Sequence, residues 1–150
     1  MKINTKHFGE IEVDEGKVIE FSNGILGFED SKKYVMLSKK DNGQLFCWLQ
    51  SVDDADTAFA VTVPYVFYPD YKPNVADEDL AKIGINGQDE IKDLSVFSIM
   101  VIPDETKNTT INLKAPVVIN QATNKGGQFI ASNAEYDVRH KLTDLVGLYA

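Results

Sequence analysis

Prolines stop two apolar segments of the chain where they would otherwise run on. "TAFAVTV", Thr57 to Val63, ends at Pro64, and "LSVFSIMVI", Leu94 to Ile102, ends at Pro103. Proline offers no backbone donor and fixes φ, so each segment reads as one short strand. Other segments of this kind are bounded by turn residues. "FGEIEV", Phe8 to Val13, and "KVIEF", Lys17 to Phe21, flank "DEGK" and read as a hairpin. "KYVML", Lys33 to Leu37, and "QLFCWLQS", Gln44 to Ser51, flank "DNG", Asp41 to Gly43, where Asp and Asn before Gly suit a tight hairpin turn. "TTINLKAPVVINQATNKGGQFI", Thr109 to Ile130, supplies two more strands joined by "TNKGG", with Pro116 inside the first. The segments are rich in Val, Ile, Phe and Thr, as a pleated, half-buried surface favours. The expected fold is mostly β: a small antiparallel β-barrel or barrel-like sandwich with one or two short helices.

"NVADEDLAKIGI", Asn74 to Ile85, carries acids early and Gly84 late, the arrangement of a short helix with Leu80 and Ile83 turned to the core. "EYDVRHKLTDLVGL", Glu135 to Leu148, brings Tyr136, Arg139 and Leu142 to one side by three-residue spacing and reads as a C-terminal helical turn or helix. The expected core is Phe46, Trp48, Phe59, Val61, Phe97, Ile99, Val118 and Phe129, mostly on strands. Strict alternation puts Cys47 and Leu49 opposite Phe46 and Trp48.

A chain of 150 residues reads as one domain, 1–150, able to bury about two thirds of its unfolded surface. Its one cysteine, Cys47, permits no internal disulfide. "MKINTKHFGE" has no apolar signal-peptide core, and no apolar run reaches the roughly 18 residues of a membrane helix. A cytoplasmic protein with no membrane contact is expected. The net charge is −8, and Arg139 is the only arginine among 15 basic residues, a poor set for binding phosphates. Direct nucleic-acid binding is not expected; the charge suits a soluble surface or steering toward a basic partner.

Catalytic signatures are missing. His7 and His140 lie at opposite ends of the chain, outside any metal-ligand spacing. Cys47 has no neighbouring base and reads as a small buried hydrophobe. "DDADT", Asp53 to Thr57, fails as a calcium loop, because Phe59 and Tyr65 occupy the positions that need Gly and Glu; it reads as a polar loop between strands. No catalytic residue, metal or cofactor is assigned. The unusual composition lies in "VPYVFYPDYKP", Val63 to Pro73, where Tyr65, Phe67, Tyr68 and Tyr71 are interleaved with prolines. Such aromatics either cap the barrel core or form an exposed amphipathic surface, as Tyr does at interfaces. With the acids Asp77, Glu78 and Asp79 just beyond, Tyr65, Phe67, Tyr68 and Tyr71 form the candidate protein-binding set.

Taken in order, "GILGFE" (Gly24 to Glu29), "WLQS" (Trp48 to Ser51), "AFAVTVP" (Ala58 to Pro64), "NLKAPVVIN" (Asn112 to Asn120) and "YDVRHKL" (Tyr136 to Leu142) resemble the bacterial flagellar assembly factor FliW family. The resemblance covers nearly the whole chain. It departs from many relatives at Leu26, where they have proline. It implies a small β-barrel-like fold without enzyme activity and two protein partners. These are CsrA, an RNA-binding translational repressor that FliW antagonises, relieving repression of flagellin mRNA, and flagellin, which competes FliW away. The other reading the residues allow is a small β-barrel ligand-binding protein or enzyme using buried carboxylates. Within "NLKAPVVIN", Asn112 and Asn120 either satisfy backbone groups where the ladder breaks at Pro116 or border an edge that takes a partner strand.

Overall fold

A computed structural model describes residues 1–38, 46–86 and 94–142. Its strands are β1 (Lys2–Asn4), β2 (Glu10–Glu12), β3 (Ile19–Glu20), β4 (Lys33–Leu37), β5 (Cys47–Ser51), β6 (Ala58–Thr62), β7 (Leu94–Val101), β8 (Thr110–Ile111), β9 (Val117–Asn120), β10 (Lys125–Gln128) and β11 (His140–Lys141). The helix α1 spans Asp77–Ala81, and 3-10 turns lie at Glu15–Lys17, Pro64–Val66 and Thr106–Asn108. Strands β7, β6, β5, β4, β3, β10 and β9 are neighbours in that order, and β9 returns to β7, so these seven strands close a barrel. The junctions are antiparallel except the one between β3 and β10, which is parallel. The mostly β barrel expected from the sequence is what the chain forms.

Alternation divides the side chains between two cores. Phe21, Ile25, Tyr34, Leu49, Val61, Val117 and Ile119 pack inside the barrel, with Cys47, Phe59, Phe97 and Ile99 against them. Outside, Ala60, Met100, Ile111 and Leu113 are covered by Tyr71 and Tyr136, with Phe46 and Trp48 packed alongside. A second outer cluster joins Leu80, Ile83 and Ile85 to Val118 and Phe129. Cys47 and Leu49 therefore do lie opposite Phe46 and Trp48. Of the eight expected core residues, Val61, Val118 and Phe129 are buried and the others half-buried; Phe46 and Phe129 lie just off the strands. Leu80 and Ile83 are buried as expected, and Gly84 ends the helical segment with φ 85°.

Four expectations are corrected. The segment before the "DEGK" turn does not pair with the one after it. Strand β2 turns back on β1 (Ile3 opposite Ile11), while β3 pairs with β4 and β10. The 3-10 turn at Glu15–Lys17, capped by the Asp14 carboxylate on the Gly16 N–H, redirects the chain between them. Residues 135–141 form a turn and the strand β11, which pairs with β8, in place of a helix; residues 143–148 of that expected helix lie outside the described residues. "KGG" belongs to strand β10, and the turn is 121–124, where Asn124 takes φ 54°. The first strand of Thr109–Ile130 is split into β8 and β9. The "DNG" turn lies outside the described residues.

The split strand explains Pro116. Strand β7 pairs with β9 from Leu94 to Phe97 and with β8 at Met100 and Val101, so Asn112 to Pro116 bulge out opposite Ser98 and Ile99. Pro116 stands immediately before β9, where no ladder N–H is needed. The bulge's backbone groups find other partners. The Asn112 Oδ1 accepts from the N–H groups of Lys114 (3.1 Å) and Ala115 (2.9 Å). The Leu113 carbonyl accepts from the Tyr71 hydroxyl (2.6 Å), and the Gln128 amide donates to the Ala115 carbonyl (3.2 Å). At the far end of β9, Asn120 accepts from the Ala122 N–H (3.0 Å) and donates to the Ile83 carbonyl (2.8 Å). Both asparagines thus satisfy backbone, and β9, paired on both sides, has no edge for a partner strand.

Candidate protein-docking surface

Pro64 opens the 3-10 turn at its first position, where a missing N–H costs nothing, and Val63 before it stays extended. The chain then folds back over the outer face of the barrel. Tyr71 is buried; its ring lies 4.8 Å from that of Tyr136, 5.8 Å from Tyr65 and 6.4 Å from Tyr68. The Tyr136 hydroxyl accepts from the Lys72 N–H (2.8 Å), tying the segment to the C-terminal part of the chain. Burial raises the pKa values of Tyr71 and Tyr65, with neighbouring tyrosines adding to the effect.

The structure divides the aromatic set between the two readings. Phe67 and Tyr71 are core. Tyr68 is half-buried, with its ring edge-on to Tyr136 at 6.0 Å. Tyr65 is 39% exposed and its neighbour Val66 57% exposed. Among the acids, Asp77 and Glu78 are exposed, while Asp79 is half-buried and holds Lys82 at 3.2 Å. Their carboxylates crowd the first turn of α1, where the backbone N–H groups favour negative charge.

Between the aromatic segment and α1 lies a groove of about 350 Å³. Tyr65 and Tyr71 form one wall, Val75 and Leu80 the other, and Leu94, Val96 and Val118 of the barrel form the floor. Asp77 and Glu78 line a neighbouring shallow depression with Ala81 and Ile85. Of the candidate set, Tyr65 and Tyr71 line this groove, and its floor was not among the binding residues singled out in the sequence. Val96 and Val118 are outward-facing residues of strands that read as ordinary core, and only the course of the covering segment shows that a gap remains above them.

Other marked residues have structural places. Gln50 is buried; its carbonyl accepts from the Lys6 N–H, and its amide faces the carbonyls of Asp54, Ala55 and Thr57. In "DDADT", the Asp54 carboxylate accepts from the Thr57 hydroxyl (2.7 Å) and the Asp56 N–H (3.1 Å), and these bonds lower its pKa. It is a self-bonded loop between strands. Burial pushes the Cys47 thiol pKa up, away from a reactive thiolate. The His140 Nε2 accepts from the Asp137 N–H (2.8 Å). Among the described residues no carboxylate is buried, and no group of three His, Cys, Asp or Glu is placed to hold a metal ion. Among the described residues, too, no helix is long and apolar enough to cross a membrane.

The chain matches the family profile described as "FliW protein" over residues 2–142. It is 39% identical over 144 residues to the flagellar assembly factor FliW of Ruminiclostridium cellulolyticum, covering 96% of this chain and 95% of that one. It is 41% identical over 148 residues to the flagellar assembly factor FliW of Lachnospira eligens, covering 97% of both. A crystal structure of the flagellar assembly factor FliW superposes with a TM-score of 0.85 at 34% identity, over 95% of this chain and 96% of that one.

Proposed function

The chain belongs to the FliW family of flagellar assembly factors, and on that premise we propose that it is a non-enzymatic, cytoplasmic regulator that works by docking proteins. Its partners are CsrA, which it antagonises to relieve repression of flagellin mRNA, and flagellin, which displaces it. The observation that carries this reading is the apolar groove walled by Tyr65 and Tyr71, with the exposed acids Asp77 and Glu78 on the neighbouring depression along α1. Tyrosine rings on a rigid frame make good anchors, because they bring large contact area with few rotatable bonds. Exposed acids mainly raise the association rate with a basic partner, and an RNA-binding repressor carries such a surface. The buried Tyr71 supports the anchors, its ring packed against those of Tyr65 and Tyr68. The net charge of −8 and the single arginine argue that regulation runs through protein contacts and not through RNA bound by this chain.

Binding kinetics with purified CsrA and flagellin test the reading. Replacing Asp77, Glu78 and Asp79 together by Ser is expected to slow association and flatten its salt dependence, with the melting temperature little changed. Tyr65→Ala is expected to speed dissociation. If both variants bind both proteins as the parent does, the groove is not the docking surface. If the parent binds neither, the partner assignment is wrong.

The groove's volume also falls at the low end of small-molecule pockets. A ligand-binding protein is therefore the second reading, and a small-molecule screen followed by melting-temperature shifts separates the two.

A further inference from the structure

Two loops meet at the barrel end where β3, β5 and β7 finish. One is 21–32, between β3 and β4; the other is 52–57, between β5 and β6. Their facing stretches, "LGFEDS" (Leu26 to Ser31) and "VDDADT" (Val52 to Thr57), hold Glu29, Asp30, Asp53, Asp54 and Asp56 and no lysine or arginine. All five carboxylates are exposed, and among the described residues none of them is in an ion pair. Lys32, next in sequence, points its ammonium to the Ser22 carbonyl (2.8 Å). A cleft of about 350 Å³ opens between the loops, walled by Phe28, Glu29, Asp30, Ser31 and Asp54. The Phe28 ring is 46% exposed and stands edge-on to Phe59 at 5.0 Å; Leu26 beside it is 54% exposed. Beneath the cleft, the fully buried Tyr34 hydroxyl lies near Ser31 and Asp54 without completing a hydrogen bond.

The loops are held firmly. Gly24 has φ 64°, and a Cβ there would lie 2.6 Å from the Glu29 Cα, so the two ends of the loop touch through a glycine. The Leu26 N–H donates to Gln128 Oε1 (3.0 Å), the Gly27 N–H to Glu29 Oε1 (2.9 Å) and the Phe28 N–H to the Ile25 carbonyl (2.6 Å). Across the cleft, Ser51 Oγ accepts from the N–H groups of Asp53 (3.2 Å) and Asp54 (3.0 Å). Acids fixed this way repel one another whether or not a ligand is present, and a cation placed among them relieves that repulsion at little ordering cost. A bare metal ion is a poor fit, since Asp54 and Glu29 already spend oxygens on their own loops and no three ligands converge. An exposed aromatic face beside carboxylates instead suits a side-chain cation, above all a guanidinium, which pairs with the acids and lies over the ring.

We propose that this cleft is a second docking surface, which takes an arginine- or lysine-bearing segment of a protein partner. The cation sits among Glu29, Asp30 and Asp54 against Phe28, and an apolar neighbour in the partner covers Leu26. The inference rests on the proposed function only in taking the occupant to be a protein. The surface is separate from the tyrosine groove. On β7 the groove extends from Leu94 to Val96, whereas Phe59, against which Phe28 packs, is level with Val101, five residues beyond Val96 and roughly 16 Å away at about 3.3 Å per residue.

The test is a chemical-shift titration of the full chain with a Leu-Arg-Leu-Arg peptide. Amides of residues 27–31 and 53–57 are expected to shift. The triple variant Glu29→Gln, Asp30→Asn, Asp53→Asn, which keeps the Glu29 bond to Gly27 and the Asp54 loop bonds, is expected to weaken binding at least ~10-fold. Phe28→Leu, which keeps an apolar wall but removes the ring, is expected to weaken it less. Shifts elsewhere only, or a triple variant that binds as the parent does, overturn the proposal. So does calcium chloride, if it shifts the same amides and excludes the peptide, because the cleft is then a metal site. CsrA or flagellin displacing the peptide supports the proposal and names the occupant. A peptide that binds the cleft but is displaced by neither protein leaves the cleft as a cationic docking surface and counts against the partners under the proposed function.

Discussion

At the scale of single residues, the asparagines and glycines of the segment from Thr109 to Ile130 show what the sequence discloses and what it hides. Asn112 and Asn120 announce a broken ladder, because a side-chain amide replaces backbone partners where a proline removes them. Asn112→Ala is expected to cost about 1–3 kcal/mol in urea unfolding, since the Ala115 N–H loses its acceptor and the Lys114 N–H keeps only the Asp137 carbonyl. Asn112→Asp, which keeps an acceptor, should cost less. The glycines misled, because "KGG" after "TN" has turn composition, yet Gly126 and Gly127 are strand residues. Their reason is close approach: a Cβ on Gly126 would come within 2.8 Å of the Phe21 ring, and one on Gly127 would overlap the Phe129 ring. Gly127→Ala is therefore expected to destabilise the fold by about 1–3 kcal/mol, as overpacking does, with no change in backbone strain.

At the scale of elements, strand locations were legible and partners were not. "KYVML" is β4 to the residue, and Pro64 and Pro103 each follow shortly after a strand end. Periodicity carries that information locally. Pairing is decided elsewhere: β3 leaves β2 because β4 and β10 offer it a place in the barrel, while β2 has β1. The aromatic segment is an element without regular structure, held by ring packing and by the hydroxyls of Tyr71 and Tyr136. Its stability should depend on alkaline pH. Burial raises the pKa values of Tyr71, Tyr65 and Tyr34 above the ordinary tyrosine value of 10.0. A raised folded-state pKa means stability that is complete below the unfolded-state value and is lost as pH rises beyond it. Unfolding free energy measured from neutral pH upward should hold until about the pKa of an exposed tyrosine and then fall. The tyrosinate absorbance that Tyr71 contributes, read as the difference between the parent and Tyr71→Phe, should rise with unfolding and not before it. Tyr71→Phe should reduce the fall and also lower stability at neutral pH by about 1–3 kcal/mol, because the Leu113 carbonyl loses its donor.

At the scale of the whole molecule, closure decides how partners are received. A seven-strand barrel in which β9 pairs with both β10 and β7 has spent its long edges. Among the described residues, the strands outside it are β1, β2, β8 and β11, none longer than three residues, too short to template an added strand securely. Under the proposed function, recognition then runs through side chains presented on the closed surface, which is where the tyrosine groove and the acidic cleft lie. Hydrogen exchange follows from this. Amides of Val118 and Ile119 should exchange as slowly in the free protein as those of β5, since both strands are laddered on two sides. Adding CsrA or flagellin should leave those amides unchanged and slow exchange around Tyr65 to Tyr68 or Phe28 to Ser31. New protection confined to Thr110 to Asn120 would instead show that the barrel opens beside β9 and takes a strand, so that docking depends on a conformation other than the closed one.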